Sequence, residues 1–145
     1  MALSKSEKQT CDNVRYFFKY DFKRYKQLAS LADLKSIGYN GFNSSTNTNN
    51  QENKVITASY CQEIINMVKN VIERMQDKRL SKILTYRHFD YLPFWQIARK
   101  LQYSESTVKQ LSNQAYLLFA DMLAMVTDID LRKSDYIEKG TINRQ

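Results

Sequence analysis

Apolar residues recur every three or four positions along much of this chain. In the first block they stand at positions 14, 17, 18, 22, 25, 28 and 29, with basic residues between them. A second stripe comprises Ala58, Cys61, Ile64, Ile65, Val68, Val71, Ile72 and Met75. Because 3.6 residues complete a helical turn, both patterns predict helices with one apolar face, the second over about 54–77.

The segment 36–53 separates these two predicted helices. It holds two of the three glycines and a run of Ser, Thr and Asn. Such residues bury little apolar surface and compete with helix through side-chain hydrogen bonds, so we predict a mobile polar loop. A phosphate-binding loop is not predicted, because no Lys followed by Ser or Thr comes after the glycines.

Three further helices are predicted over 80–126. The first ends near Asp90, and the second begins at Pro93, since proline is tolerated in the first turn of a helix. Gln102–Ser104 then connect to a long third helix, and the serine has the chemistry to cap its N-terminus. A three-residue connection between two amphipathic helices, with the small Ala98 where they cross, is typical of a helix-turn-helix.

The first turns of the third helix present a polar face. Residues predicted to contact base edges in the major groove are Glu105, Ser106, Lys109, Gln110 and Asn113. Gln and Asn match adenine, Lys matches guanine or phosphate, and Glu can accept from cytosine. Contacts to phosphate are predicted for Lys82, Arg87, Arg99, Lys100 and Thr107. A solvated helix surface without DNA contact is the alternative explanation of such a face.

The composition supports a helical fold and a polyanionic partner. Three Gly and one Pro in 145 residues favour an all-α protein. The formal net charge is +7, and the segments 1–35 and 78–125 are the two basic blocks. We expect an N-terminal helical region over 1–78, a helix-turn-helix domain over 79–126 and a frayed C-terminal tail over 127–145.

Several classes of protein are not predicted. With two cysteines and one histidine, His88, we expect no disulfide framework, no metal site, no cofactor and no enzyme, and we interpret the histidine as a packing or surface residue. We expect no transmembrane helix, because no stretch approaches about 20 uncharged apolar residues. The polar start predicts no signal peptide, and the sparse cysteines point to the reducing cytoplasm.

The run Ile97-Ala98-Arg99-Lys100-Leu101-Gln102-Tyr103-Ser104-Glu105-Ser106-Thr107-Val108-Lys109 resembles the helix-turn-helix of region 4 in sigma factors. The usual pattern in that family is IA-x-x-L-G-x-S-x-x-T-V, and Gln102 stands where the family has Gly. A helix end that needs a left-handed residue favours Gly, so we expect this turn to differ slightly.

The wider sequence resembles the ArpU/RinA-type regulators of phages and prophages of Gram-positive bacteria. The resemblance is carried by Tyr103-Ser104-x-Ser106, by Ala115-x-x-x-Phe119-Ala120 and by the preceding helices; it covers most of 14–125 and is firm over 92–120. It implies a sequence-specific transcriptional regulator that binds double-stranded DNA at late packaging or lysis genes in the bacterial host cytoplasm, with recognition helix 105–114. The sigma-like surface also implies recruitment of RNA polymerase.

Two alternatives stay open at this point. A sigma-like unit can dock RNA polymerase or a sigma or anti-sigma partner without reading bases. The stripe over 58–75 can pack within the monomer or form a homo-oligomer, and its narrow seam slightly favours the oligomer. For the first helix, packing of the aromatic face inside the protein is favoured over contact with nucleic acid or a membrane surface.

Overall fold

The described part of the chain is all-α, as the sequence predicts. The computed structural model describes residues 2–32, 34 and 57–138. Its helices are α1 (Lys5–Tyr16), a π-helical segment (Phe17–Asp21), α2 (Phe22–Ala29), α3 (Ala58–Glu73), α4 (Lys78–His88), α5 (Phe94–Leu101) and α6 (Glu105–Val126). The predicted mobile loop over 36–53 lies outside the described residues.

The segments α1, π and α2 follow one another without a break. Ser4 starts α1 with a capping box: its Oγ accepts from the Glu7 amide at 3.1 Å, and the Glu7 carboxylate accepts from the Ser4 amide at 2.9 Å. The aromatic face then packs inward, with Phe17, Phe18 and Phe22 at most 3% exposed. The prediction that this face packs inside the protein is confirmed.

The apolar stripe of α3 is buried within the chain. The stripe residues from position 61 onward are all at most 5% exposed. α3 packs against α2, where the rings of Tyr60 and Tyr25 meet edge-on with centroids 6.3 Å apart. The preference for an oligomer seam over 58–75 is therefore wrong for this stripe, because contacts within the chain already cover it.

One hydrophobic core joins the first helix to the C-terminal helices. The ring of Phe119, which is fully buried on α6, lies 5.0 Å from that of Phe18 and 6.1 Å from that of Phe17. Because α1 also packs on α6, the buried face of α6 includes Ser112 and Tyr116. Leu118 and Met122 also fall on the inward side by their spacing, but they are only half-buried. The domain boundary between 78 and 79 stays a prediction, although the core extends across it.

The residues after α6 return to the body of the protein. Leu131 is fully buried, and Asn13 Nδ2 donates to the carbonyl oxygens of Leu131 and Lys133 at 2.8 Å each. Arg132 Nε lies 2.6 Å from Asp121 Oδ1 in an ion pair. The prediction of a frayed tail is wrong over 127–138, because these contacts hold the segment against the rest of the protein. The anchoring residues do not recur with a helical period, so the sequence pattern did not indicate them.

The turn between α5 and α6 contains a left-handed residue. Gln102 has φ 61° and ψ 44°. The Tyr103 amide donates to the Ala98 carbonyl at 3.0 Å, and the Gln102 amide donates to the Arg99 carbonyl at 3.3 Å. This pattern is a Schellman motif, whose left-handed position usually carries Gly. The turn therefore keeps the left-handed geometry that favours Gly. The expectation that Gln102 changes the geometry of this turn is wrong.

The connection between α4 and α5 is a second tight turn. α4 ends at His88, two residues before the predicted end near Asp90. Tyr91 then adopts φ 57°, and the Leu92 amide donates to the Tyr86 carbonyl at 2.9 Å. Pro93 is the N-cap of α5, so the first helical residue is Phe94, one position after the predicted start.

We expect Gln102→Gly to raise the free energy of unfolding by about 1 kcal/mol, because Gly adopts this positive φ without a clash at Cβ. Urea unfolding followed by circular dichroism measures the change. Gln110→Gly is the matched control at an exposed position inside α6, and it should lower stability by about 1 kcal/mol. A clear loss of stability in Gln102→Gly would contradict strain at this turn.

Candidate nucleic-acid interface

The first turns of α6 form an exposed polar surface above a buried layer. Ser104 Oγ accepts from the Thr107 amide at 3.1 Å, which fixes where the helix begins. Underneath, Ile97, Ala98 and Val108 are at most 5% exposed. The exposed side chains above them, which we call the reading face, are Glu105, Ser106, Lys109 and Gln110. Four of the five residues predicted to contact bases are thus presented to solvent on one short surface.

Asn113, the fifth of these residues, lies in a different environment. It is half-buried, and its Oδ1 accepts a hydrogen bond from Arg15 Nη2 at 3.1 Å. Cys11 Sγ lies 3.7 Å from its carbonyl oxygen. Because α1 packs here, the amide oxygen of Asn113 already has a hydrogen-bond partner. Base contact by Asn113 stays a prediction. Arg15 stands 98 positions earlier, and no local pattern indicates that the two residues meet.

Three of the residues predicted to bind phosphate are exposed cations. Lys82 lies on α4, and Arg99 and Lys100 lie at the end of α5. Lys100 Nζ stands 5.7 Å from the centroid of the Tyr86 ring. Their charges are available to an anion in solution.

Arg87 and Thr107 make contacts inside the protein. Arg87 Nη1 donates to the Leu92 carbonyl at 3.1 Å, and its guanidinium lies 4.4 Å from the centroid of the Phe94 ring. Ser104 Oγ donates to Thr107 Oγ1 at 2.9 Å. The Thr107 hydroxyl is therefore part of the helix cap, and the Arg87 guanidinium is held in a fixed position.

A concave basic surface lies next to the reading face. This basic cavity has a volume of about 350 Å³ and is lined by Arg15, Phe18, Lys19, Lys23, Arg87, His88, Tyr91, Phe94 and Tyr116. Lys109 of the reading face stands beside it, with Nζ 6.0 Å from the centroid of the Phe94 ring.

Three cations of this cavity were not among the residues predicted to contact DNA. Arg15, Lys19 and Lys23 are spaced by four, which places them on one side of a helix. That spacing could have marked them as a group. The helices that complete the cavity, however, come from more than 60 positions further along the chain, and packing alone brings them together.

His88 lies at the floor of the basic cavity. Its ring stacks on Phe18 with centroids 4.2 Å apart, and its Nε2 is hydrogen-bonded to Tyr116 Oη at 2.8 Å. Burial, with the nearby charges of Arg87 and Arg15, lowers the pKa of His88 from 6.5 to about 3. The imidazole is thus neutral at physiological pH, in line with its interpretation as a packing residue.

The described residues include no cluster suited to a metal ion, and both cysteines are buried. No group of three or more His, Cys, Asp or Glu side chains in this part of the chain is arranged to hold a metal ion. Cys11 and Cys61 are buried on different helices, and burial raises the pKa of both thiols. Among the described helices, none has the length and apolar character needed to cross a bilayer.

Comparison with protein-family models, curated proteins and solved structures gives no match to this chain.

Proposed function

We propose that this protein is a sequence-specific, double-stranded-DNA-binding transcriptional regulator that places the start of α6 in a major groove. The observation that carries this proposal is the reading face, four adjacent polar side chains exposed above a buried layer at the N-terminus of a helix. The second helix of a helix-turn-helix contacts base edges with its N-terminal residues. The connection Gln102–Ser104 and the length of α5 fit that geometry.

The side chains of the reading face differ in the groups of DNA that they can bind. Gln110 can pair with adenine through its amide, Lys109 can donate to guanine or to phosphate, and Glu105 can accept from the amino group of cytosine. Lys100 and Lys82 supply attraction to phosphate that does not depend on sequence.

The biological setting that we propose rests on the sequence resemblance alone. The resemblance to regulators of the ArpU/RinA type suggests that this protein controls late packaging or lysis genes of a phage or prophage. It would act in the cytoplasm of the bacterial host. The sigma-like run over 97–109 suggests that the bound protein recruits RNA polymerase.

A second candidate function is docking to RNA polymerase or to a sigma or anti-sigma partner without base readout. Two exposed aromatic residues favour it. Trp95 on α5 is 52% exposed, and Tyr103 in the turn is 38% exposed. Such residues often anchor protein–protein interfaces. Under this alternative the reading face is solvated surface, and binding to DNA is absent.

Two substitutions separate readout of bases from attraction to phosphate. We expect Gln110→Ala to lower discrimination between the preferred and a mismatched duplex by about 1–3 kcal/mol, because a base-edge contact is lost. Lys100→Ala should weaken binding to every duplex alike and reduce the salt slope by about 1. Fluorescence anisotropy with labelled duplexes selected from a random pool measures both effects.

Lys69→Ala, on the exposed surface of α3, serves as the charge control and should change neither quantity appreciably. Equal effects of Gln110→Ala and Lys100→Ala on every duplex would contradict these roles.

A further inference from the structure

The basic cavity concentrates positive charge without matching negative charge. Its described lining includes Arg15, Lys19, Lys23 and Arg87 and no carboxylate. Asp12 forms an exposed ion pair with Arg15, at 2.8 Å between Nη1 and Oδ1, which leaves the other three cations in excess. Like charges brought together in a concave surface raise the local potential and attract an anion from solution.

Aromatic rings hold several of these cations in place. The guanidinium of Arg15 lies 5.2 Å from the centroid of the Tyr116 ring, and Lys23 Nζ lies 5.3 Å from that of Tyr91. Arg87 stands over Phe94 in the same way. Such contacts offset part of the mutual repulsion while leaving the charge uncompensated. These three cations of the cavity lining therefore each have an aromatic partner.

The π-helical segment contributes to this arrangement. It supplies both Phe18, which stacks on His88 at the floor, and Lys19, which lines the cavity. A π turn contains an additional residue, so it changes which side chains of the following helix share a face. Lys19 and Lys23 line the same cavity as Arg15, whereas Phe17 and Phe22 between them are core residues.

The cavity lies beside the reading face on the surface of α6. Lys109 approaches the Phe94 ring at the edge of the cavity, and Arg15 donates to Asn113, one turn further along α6. When a helix occupies a major groove, the phosphate backbones run along the edges of that groove, beside the helix. We therefore expect such a backbone to pass close to a cationic cavity that lies next to the reading face.

From these observations we infer that the basic cavity binds a phosphodiester group of the duplex held by α6, with Lys19 and Lys23 as its ligands and Arg15 and Arg87 adding positive charge to its lining. This inference rests on the proposed function. It assigns to the N-terminal helix a part in DNA binding that the helix-turn-helix segment alone does not have.

The first test removes two lysines that line the cavity. Lys19 and Lys23 are exposed, so Lys19→Ala/Lys23→Ala leaves the core intact. We expect this double variant to bind a mixed-sequence duplex about tenfold more weakly at moderate salt and to reduce the log–log salt slope by about 2, since each phosphate contact contributes about 0.9. The matched control is Lys5→Ala/Lys8→Ala, which removes the same charge from exposed positions on α1 outside the cavity.

The second test uses the single histidine as a reporter. His88 lies at the cavity floor, so its imidazole resonances in a nitrogen–proton correlation spectrum should move when a phosphate enters. We expect a shift with the mixed-sequence duplex, a much smaller one in Lys19→Ala/Lys23→Ala, and none with inorganic phosphate or adenosine monophosphate at equal phosphate concentration.

The outcomes distinguish the inference from the proposed function. If the wild-type protein binds duplex but both double variants behave alike and His88 does not respond, the inference is overturned and DNA binding stands. Saturation by adenosine monophosphate with no response to duplex assigns the cavity to a free nucleotide and also overturns the inference. If the wild-type protein binds no duplex in either assay, the proposed function itself fails.

Discussion

Phe119→Ala should lower the free energy of unfolding by about 3–5 kcal/mol, the usual cost of removing a large aromatic ring from a core. Phe119 is fully buried on α6 and meets Phe17 and Phe18 of the first helix. Since these rings connect the first helix to the C-terminal helices, the loss should reach both parts of the chain. Urea unfolding followed by circular dichroism and by fluorescence of Trp95 measures it.

The control for this variant lies on the same helix. Met125 is 85% exposed near the end of α6, and Met125→Ala should change stability by less than about 0.5 kcal/mol. If Phe119→Ala also costs less than about 1 kcal/mol, or if the two spectroscopic signals separate into two transitions in the wild-type protein, the shared core is contradicted.

The second large effect concerns acid. The pKa of His88 is lowered from 6.5 to about 3 in the folded protein, so the unfolded chain binds a proton in this range while the folded protein does not. The contribution of the neutral, buried imidazole is fully present above pH 6.5 and is lost as the pH falls towards about 3. Each pKa unit of difference corresponds to about 1.4 kcal/mol, so the total loss is several kcal/mol.

His88→Gln tests this assignment. The amide of Gln does not titrate in this range and can still hydrogen-bond to Tyr116, so we expect the variant to be less stable at neutral pH but to lose less stability in acid. The measurement is the free energy of unfolding in urea at a series of pH values. Parallel curves for the variant and the wild-type protein between pH 6.5 and 3 would show that His88 does not carry this dependence.

Much of the fold could be predicted from local patterns. The three- and four-residue spacing predicts the helices because apolar residues in an amphipathic helix recur on the side that faces the core. Ser104 marked the start of α6 in the sequence, since a serine before a helix accepts from its free amides. The reading face follows from the same periodicity, and its four residues are exposed.

The features that the sequence did not predict arise from packing between distant segments. Whether the apolar stripe of α3 faces α2 or a second chain depends on tertiary structure. The stripe is buried against other helices of the same chain. Gln102 itself does not indicate a left-handed residue, because it disfavours the conformation that the turn imposes. Only the resemblance to the sigma pattern, which has Gly at this place, marks the position. The basic cavity and the contact between Arg15 and Asn113 require α1 and α6 to meet, which no short window reveals.

The measurement that most directly tests the central claim, that the start of α6 holds a DNA duplex, is the salt dependence of duplex binding by the wild-type protein. Three exposed cations, Lys82, Arg99 and Lys100, together with the basic cavity, predict a plot of log affinity against log salt that falls with a slope steeper than about −3. Binding that is absent, or that stays constant as the salt concentration rises, would contradict this claim and favour a protein partner at the same surface.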